Sequence, residues 1–192
     1  IAQVNHPNVV QIYDIDEQDG LPYLVMEWVR GLSLHSLMRR MEGRGQQFPV
    51  DLVAAIGAQV CAGLQAAHEM RDQGGAPLNV VHRDISPSNL LISVDGIVKI
   101  IDFGVARAKN RLSVTSAGRI KGRIGYIAPE ALTDQSIDRR ADLFALGVVM
   151  YEMCSGKPLY DRDGDTAALA SVLTQKVPPL SSVRPDAPAG MT

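Results

Sequence analysis

Apolar and polar positions fall into short blocks along the 192-residue chain. An apolar-rich run from Val9 to Asp16, the pair Asp19-Gly20, and a second run from Leu21 to Trp28 predict an antiparallel hairpin. Asp-Gly supplies the positive backbone angles that a tight hairpin turn needs. Gly31 interrupts the pattern, and Ser33 is placed to cap a helix running to about Met41. Gly43, Gly45 and Pro49 separate it from the next helix, Val50 to about Arg71. There Leu52, Ile56, Val60, Leu64 and Ala67 recur at three and four, one face of an amphipathic helix roughly six turns long. Gly74 and Gly75 close it. Leu90 to Ser93 and Ile97 to Ile101 flank Asp95-Gly96, a second hairpin signal. Arg107 to Gly125 is polar and Gly-rich without periodicity, so it reads as a loop, and loops this long in a compact domain usually serve function. Asp138 to Ser155 is apolar on nearly every side, which predicts a central buried helix ended by Gly156 and Pro158. Thr166 to about Lys176 predicts another helix, and the Pro- and Ser-rich stretch from Val177 reads as extended. The sum is an α+β fold, mostly helical.

Composition narrows the class. At 46% hydrophobic and 21% charged residues the chain is not disordered throughout, and its length buries a core without disulfides. Nineteen basic against 21 acidic residues give a net charge of −2. With no strong basic field, no nucleic-acid partner and no polybasic membrane contact are expected. Cys61 and Cys154 lie far apart in helix-like apolar runs and read as buried thiols in a reducing, cytoplasmic compartment. No uninterrupted apolar run reaches membrane-spanning length, and no signal-peptide pattern opens the chain. The first residue is Ile1, not methionine, which reads as a segment of something longer.

The chemistry lies in three short motifs. His82-Arg83-Asp84 is followed by Asn89 five residues after the aspartate; Asp102-Phe103-Gly104 comes eighteen positions after Asp84; Ala128-Pro129-Glu130 comes farther on. Each tripeptide alone is weak. In this order, joined by hairpin, loop and buried helix, they resemble the HRD-x-x-x-x-N, DFG and APE motifs of eukaryotic-type (Hanks-type) protein kinases. The resemblance runs over essentially the whole chain, and Asp-Ile-Ser-Pro-Ser-Asn is similar to bacterial, especially myxobacterial, members. It implies a protein-kinase-like fold: the end of the N-lobe and the hinge over 1–29, and a truncated C-lobe over 30–192.

By that resemblance the chain implies ATP and Mg²⁺ as cofactors and a protein Ser/Thr hydroxyl as acceptor. Asp84 would accept the proton of that hydroxyl, and Asn89 and Asp102 would hold the metal, since hard cations take oxygen ligands. Met26 matches the gatekeeper of the adenine pocket, the backbone of Glu27 and Val29 would bond the adenine edge, and Leu91 would form its floor. Phe103, His82 and Ile12 match a stack that aligns the lobes. His6, His35 and His68 have no ligand-like spacing and read as structural or surface. Arg83 and Arg107 match a pair that gathers a phosphate on the activation loop, where Ser113, Thr115 and Ser116 are the candidate acceptors. Asp142, early in the buried helix, would bond the backbone of the catalytic loop, and Tyr126 would lie in the substrate-facing segment.

The pattern also departs from the family. Ser86 stands where Ser/Thr kinases place a phosphate-neutralising lysine, and Arg123 stands where a threonine is usual. These two changes suggest that Arg123 supplies the missing charge in catalysis. No Gly-rich phosphate loop, Val-Ala-x-Lys strand or pairing glutamate precedes Val9, and the arginine that normally pairs with Glu130 is absent. The 192 residues alone are therefore expected to have little or no activity. Two alternatives stand beside the kinase reading. A pseudokinase or scaffold would keep the fold without catalysis, against the intact Asp84, Asn89 and Asp102. A small-molecule phosphotransferase of the aminoglycoside-kinase kind would usually lack Arg83 and the APE segment.

Overall fold

The computed structural model describes residues 4–103, 124–133, 136–160, 164–188 and 190. Strands β1 (Ile12–Gln18) and β2 (Leu21–Met26) form a two-stranded antiparallel sheet, with Ile12 opposite Met26 and Gln18 opposite Leu21. The turn is Asp19-Gly20, at φ 53° and 76°; two positive angles match the right-handed twist of the strands. Tyr13 and Leu21 on this hairpin, and Trp28 just after it, are exposed.

A second sheet has the order β3-β4-β5, built from Gly31–Ser33, Leu90–Ser93 and Val98–Ile100, all antiparallel. The first of these, β3, goes unannounced in the sequence because it is only three residues long and runs straight into a helix. A Cβ at Gly31 would sit 2.0 Å from the Ile92 carbonyl oxygen, so this pairing requires glycine. Helix α1 (Leu34–Gly43) begins where its cap was expected: Ser33 Oγ accepts the Ser36 N–H at 3.2 Å.

Helix α2 spans Val50–His68, shorter than the expected run to Arg71. Beyond it the chain turns back, and Arg71 bridges Pro77. Its buried face is Val53, Ile56, Gly57, Val60, Gly63, Leu64 and Ala67. Leu52, assigned to that face from its spacing, is 44% exposed: the stripe starts one residue later. By length and composition α2 is apolar enough to cross a membrane; here its apolar face packs on helix α4 (Arg140–Ser155) and on β5. A Cβ on Gly57 would lie 2.7 Å from Met150 Cε and Sδ, so the glycine sets how closely the two helices approach.

Helix α3 (Pro129–Leu132) is preceded by a 3-10 turn, Ile124–Tyr126, where the sequence predicts a loop to Gly125. The α4 helix ends at Gly156 in the left-handed conformation, φ 69°, as the sequence implied. It is not buried all round: Leu143 is 48% exposed. After α5 (Asp165–Thr174), the tail read as extended instead forms a single turn, α6 (Leu180–Val183). Arg184 explains it. Its buried guanidinium donates to the carbonyls of Phe48 (3.0 Å) and Cys154 (3.2 Å) and pairs with Asp186 (2.7 Å), docking the tail on the end of α4. Cys154 is buried, which pushes its thiol pKa up, but Cys61 is exposed because it falls off the apolar phase of α2; both thiols are free. One core, including Val53, Val60, Leu64, Leu90, Ile100, Val149 and Met153, joins α2, α4 and the β4–β5 strands.

Candidate active site

The His82-Arg83-Asp84 motif, Asn89 and Asp102 gather where the β4–β5 hairpin meets the start of α4. The chain forms no helix or strand over 78–85, just before β4, and its turn is held by side chains. Asp142, fully buried in the first turn of α4, carries most of that load. Its Oδ1 accepts the Arg83 N–H at 2.8 Å; its Oδ2 accepts the His82 N–H at 2.9 Å and lies 2.7 Å from His68 Nε2. A buried carboxylate is tolerable only when its lone pairs are met, and here they are. These bonds hold Arg83 at φ 68°, a left-handed angle unfavourable for a residue with a side chain.

Asp84 comes next. The Asn89 side-chain amide donates to both the Asp84 carbonyl (2.8 Å) and its Oδ2 (2.9 Å), closing the six-residue loop Asp84–Asn89. A 3-10 turn, Pro87–Asn89, makes that reach possible. Both backbone groups of Ile101 are tied to the same loop: its N–H donates to the Asn89 carbonyl (3.0 Å), and its carbonyl lies 2.8 Å from His82 Nε2. Asp102 therefore emerges beside Asp84 and Asn89, at φ 66°, with its carboxylate exposed.

The Asp84 N–H donates to His82 Nδ1 at 3.2 Å. An accepting Nδ1 and a donating Nε2 specify the neutral tautomer. Burial lowers the His82 pKa, and this outweighs the nearby carboxylates of Asp142, Asp84 and Asp102, which act in the opposite direction. The ring meets Phe103 edge-on, centroids 4.5 Å apart. His82 is thus packed and hydrogen-bonded, as the sequence suggested. Ile12 is half-buried opposite Met26 in the hairpin.

The segment just after β2 is fastened from below. Lys99 on β5 reaches the Glu27 carboxylate, with Nζ 2.6 Å from Oε1 and 2.8 Å from Oε2. Glu27 gives its own N–H to the Gln11 carbonyl (2.8 Å). Its carbonyl, and the N–H of Val29, have no backbone partner among the described residues. Lys99 stands opposite Leu91 in the sheet, so the two side chains share a face and Leu91 is brought to the same side as the Lys99–Glu27 pair. Met26, at the end of β2, is 40% exposed.

Tyr126 is buried, and its hydroxyl donates to Glu152 Oε2 at 2.7 Å. Ser86 is buried and its hydroxyl has no hydrogen-bond partner among the described residues. Arg107, Ser113, Thr115, Ser116 and Arg123 lie outside the described residues. His68, Lys99 and Glu152 were not found as supports by sequence reasoning. Each acts on a residue at least 26 positions away, and no local spacing announces such a pair.

The family profile described as "Protein kinase domain" matches residues 1–187. The chain belongs to the protein kinase domain family. It is 40% identical over 187 residues to the Tyrosine-protein kinase MasK of Myxococcus xanthus, covering 97% of this chain and 29% of that protein. It is 34% identical over 182 residues to the probable serine/threonine-protein kinase pknA2 of Bifidobacterium longum, covering 95% and 22%. With the serine/threonine-protein kinase PknL of Mycobacterium tuberculosis, identity is 36% over 183 residues, covering 95% and 43%. The chain therefore spans less than half the length of each of these bacterial kinases. The α+β kinase-like architecture read from the motifs is the one observed.

Proposed function

We propose that the protein transfers the γ-phosphate of ATP to a serine or threonine hydroxyl of a protein substrate. The observation that carries this reading is the Asn89 amide bonded to both the carbonyl and the carboxylate of Asp84. It fixes an acidic side chain at the edge of the loop and leaves Asn89 Oδ1 for another partner.

Phosphoryl transfer asks a protein for positioning and charge stabilisation. Asp84 orients the acceptor hydroxyl and takes its proton. Asn89 Oδ1 and the Asp102 carboxylate suit a Mg²⁺: both are hard oxygen ligands on adjoining segments, and neither has a hydrogen-bond partner at that oxygen among the described residues. No group of three or more His, Cys, Asp or Glu side chains is placed to hold a metal ion by itself among the described residues. Two protein ligands, with phosphate oxygens completing the shell, are what such a site offers. The ion, when bound, neutralises phosphate charge. Met26, the Glu27 carbonyl, the Val29 N–H and Leu91 hold the adenine, the Lys99–Glu27 pair keeping that segment in register. Residues 1–29 act as the end of the N-lobe and hinge and 30–192 as the C-lobe. The chain works in a reducing, cytoplasmic setting, consistent with its free thiols. Phosphorylation of Ser113, Thr115 or Ser116, gathered by Arg83 and Arg107, is the regulatory part of the reading.

Tyrosine as acceptor is the second reading. It is favoured by the name of MasK and by Ser86 in place of lysine after the catalytic aspartate. Mg²⁺-dependent binding of a fluorescent ATP analogue tests the nucleotide half of the proposal: Asp102→Asn should abolish the Mg²⁺ dependence, and undiminished dependence contradicts it.

A further inference from the structure

Strand β5 leads directly to Asp102, and both of its edges are occupied. β4 pairs with one. Alternate residues of a strand turn their N–H and C=O groups to opposite neighbours, so the other edge presents those of Val98 and Ile100. Ile100 is met by main chain: its N–H donates to the Asn8 carbonyl at 2.8 Å, and its carbonyl accepts the Val10 N–H at 2.9 Å. That pairing cannot continue, because the chain turns at His6–Val9. The Val9 N–H donates to the His6 carbonyl at 3.0 Å, and the Asn8 N–H to His6 Nδ1 at 3.1 Å.

Val98 is met by side chains instead. Asn8 Nδ2 donates to the Val98 carbonyl at 2.9 Å, and Gln59 Oε1 on α2 accepts the Val98 N–H at 2.9 Å. Asn8 Nδ2 also donates to that Gln59 oxygen at 3.0 Å, so the two side chains brace each other. A side-chain amide offers the same donor and acceptor as a peptide group, and Asn8 thereby extends the ladder past the turn. Asn8 is buried, so its partners need it to be satisfied. Gly63 on α2 makes its place: a Cβ there would lie 3.0 Å from the Asn8 carbonyl oxygen and 2.9 Å from Ile100 Cδ1.

What β5 carries gives this brace a consequence for the site. Asp102 is two residues beyond Ile100. Lys99, between Val98 and Ile100, holds the Glu27 carboxylate at 2.6 Å. Gln11, three residues after Asn8, accepts the Glu27 N–H at 2.8 Å and gives its own N–H to Glu27 Oε2 at 3.3 Å. A shift at Asn8 is passed to Asp102 along β5 and to Glu27 through Lys99 and Gln11. We propose that Asn8, braced by Gln59, is a positioning residue that sets the adenine-side and metal-side groups at one fixed spacing. The proposal rests on the protein kinase reading and adds to it a support outside the three motifs.

The test uses the protein as its gene encodes it and mant-ATP, a fluorescent ATP analogue. Two quantities are read: the dissociation constant at saturating Mg²⁺, and the Mg²⁺ concentration that gives half-maximal binding. In Asn8→Ala both should rise about fivefold or more, the size of one lost hydrogen bond. Gln59→Leu removes the brace, should give the same pattern, and carries the test if Asn8→Ala does not fold. Gln59→Glu keeps an oxygen for Asn8 and Val98 and should rescue both quantities to within about threefold of the unaltered protein. A merely structural role would lower the fraction of protein that binds and leave both quantities unchanged in the rest. That result, or Gln59→Glu binding as poorly as Gln59→Leu, overturns the positioning role and leaves the kinase reading standing. No Mg²⁺-dependent binding by the unaltered protein overturns both.

Discussion

Replacing Asp142 tests how the loop around Asp84 is held. The carboxylate takes three hydrogen bonds, from the His82 and Arg83 amides and from His68, at 2.9, 2.8 and 2.7 Å. Asp142→Asn keeps the shape but has one acceptor oxygen. In its better orientation that oxygen replaces Oδ2 and keeps His82 and His68, while the new NH₂ faces the Arg83 N–H, donor against donor. One charge-assisted bond is lost and one buried donor is left unmet, about 2–3 kcal/mol in all. Asp142→Ala leaves all three donors without an acceptor and should cost about 4–5 kcal/mol, in line with breaking a buried charged pair. The effect is also local: without its bond, Arg83 has no reason to stay at φ 68°. Urea denaturation gives the stability difference, and amide hydrogen exchange gives the local one. Protection of the His82 and Arg83 amides should fall by more than the global change in either variant. A loss under 1 kcal/mol for Asp142→Ala, or unchanged exchange at those two amides, would refute the role given to this carboxylate.

Three further outcomes are expected. Burial depresses the His82 pKa below its ordinary 6.5, so the unfolded state binds the proton first. Stability should therefore fall as pH drops below 6.5 towards the depressed folded value, and His82→Phe should flatten that part of the pH–stability curve. Tyr126→Phe removes a buried hydroxyl bonded to the Glu152 carboxylate and should cost about 1.5–3 kcal/mol in chemical denaturation, the range for a bond to a charged group. Arg123→Ala should lower turnover more than about tenfold if Arg123 supplies the charge missing at Ser86, a drop of about 1.4 kcal/mol in transition-state stabilisation; an unchanged kcat contradicts it.

What the sequence disclosed follows the range of each interaction. Ser33 as a cap, Asp19-Gly20 as a turn and Gly156 as a stop are decided within a few residues, and each is found where it was read. The motif residues were legible because their order is specific. Boundaries and short elements were not. Three-residue β3 exists because β4 is there to pair with it, and α6 because Arg184 finds the end of α4. The exposure of Cys61 and Leu52 was within reach, since both fall off the stripe through Val53, Ile56 and Val60. The Lys99–Glu27 and His68–Asp142 pairs were not, because they join residues 72 and 74 positions apart.

The central claim is phosphate transfer through Asp84. The direct measurement incubates the protein, as its gene encodes it, with Mg²⁺ and γ-labelled ATP and a protein acceptor, followed by phosphoamino-acid analysis. The account predicts labelled phosphoserine or phosphothreonine that falls at least a hundredfold in Asp84→Asn, a loss of the size a general base contributes. Label on tyrosine alone would move the acceptor to the second reading. Transfer undiminished in Asp84→Asn would contradict the account at its core.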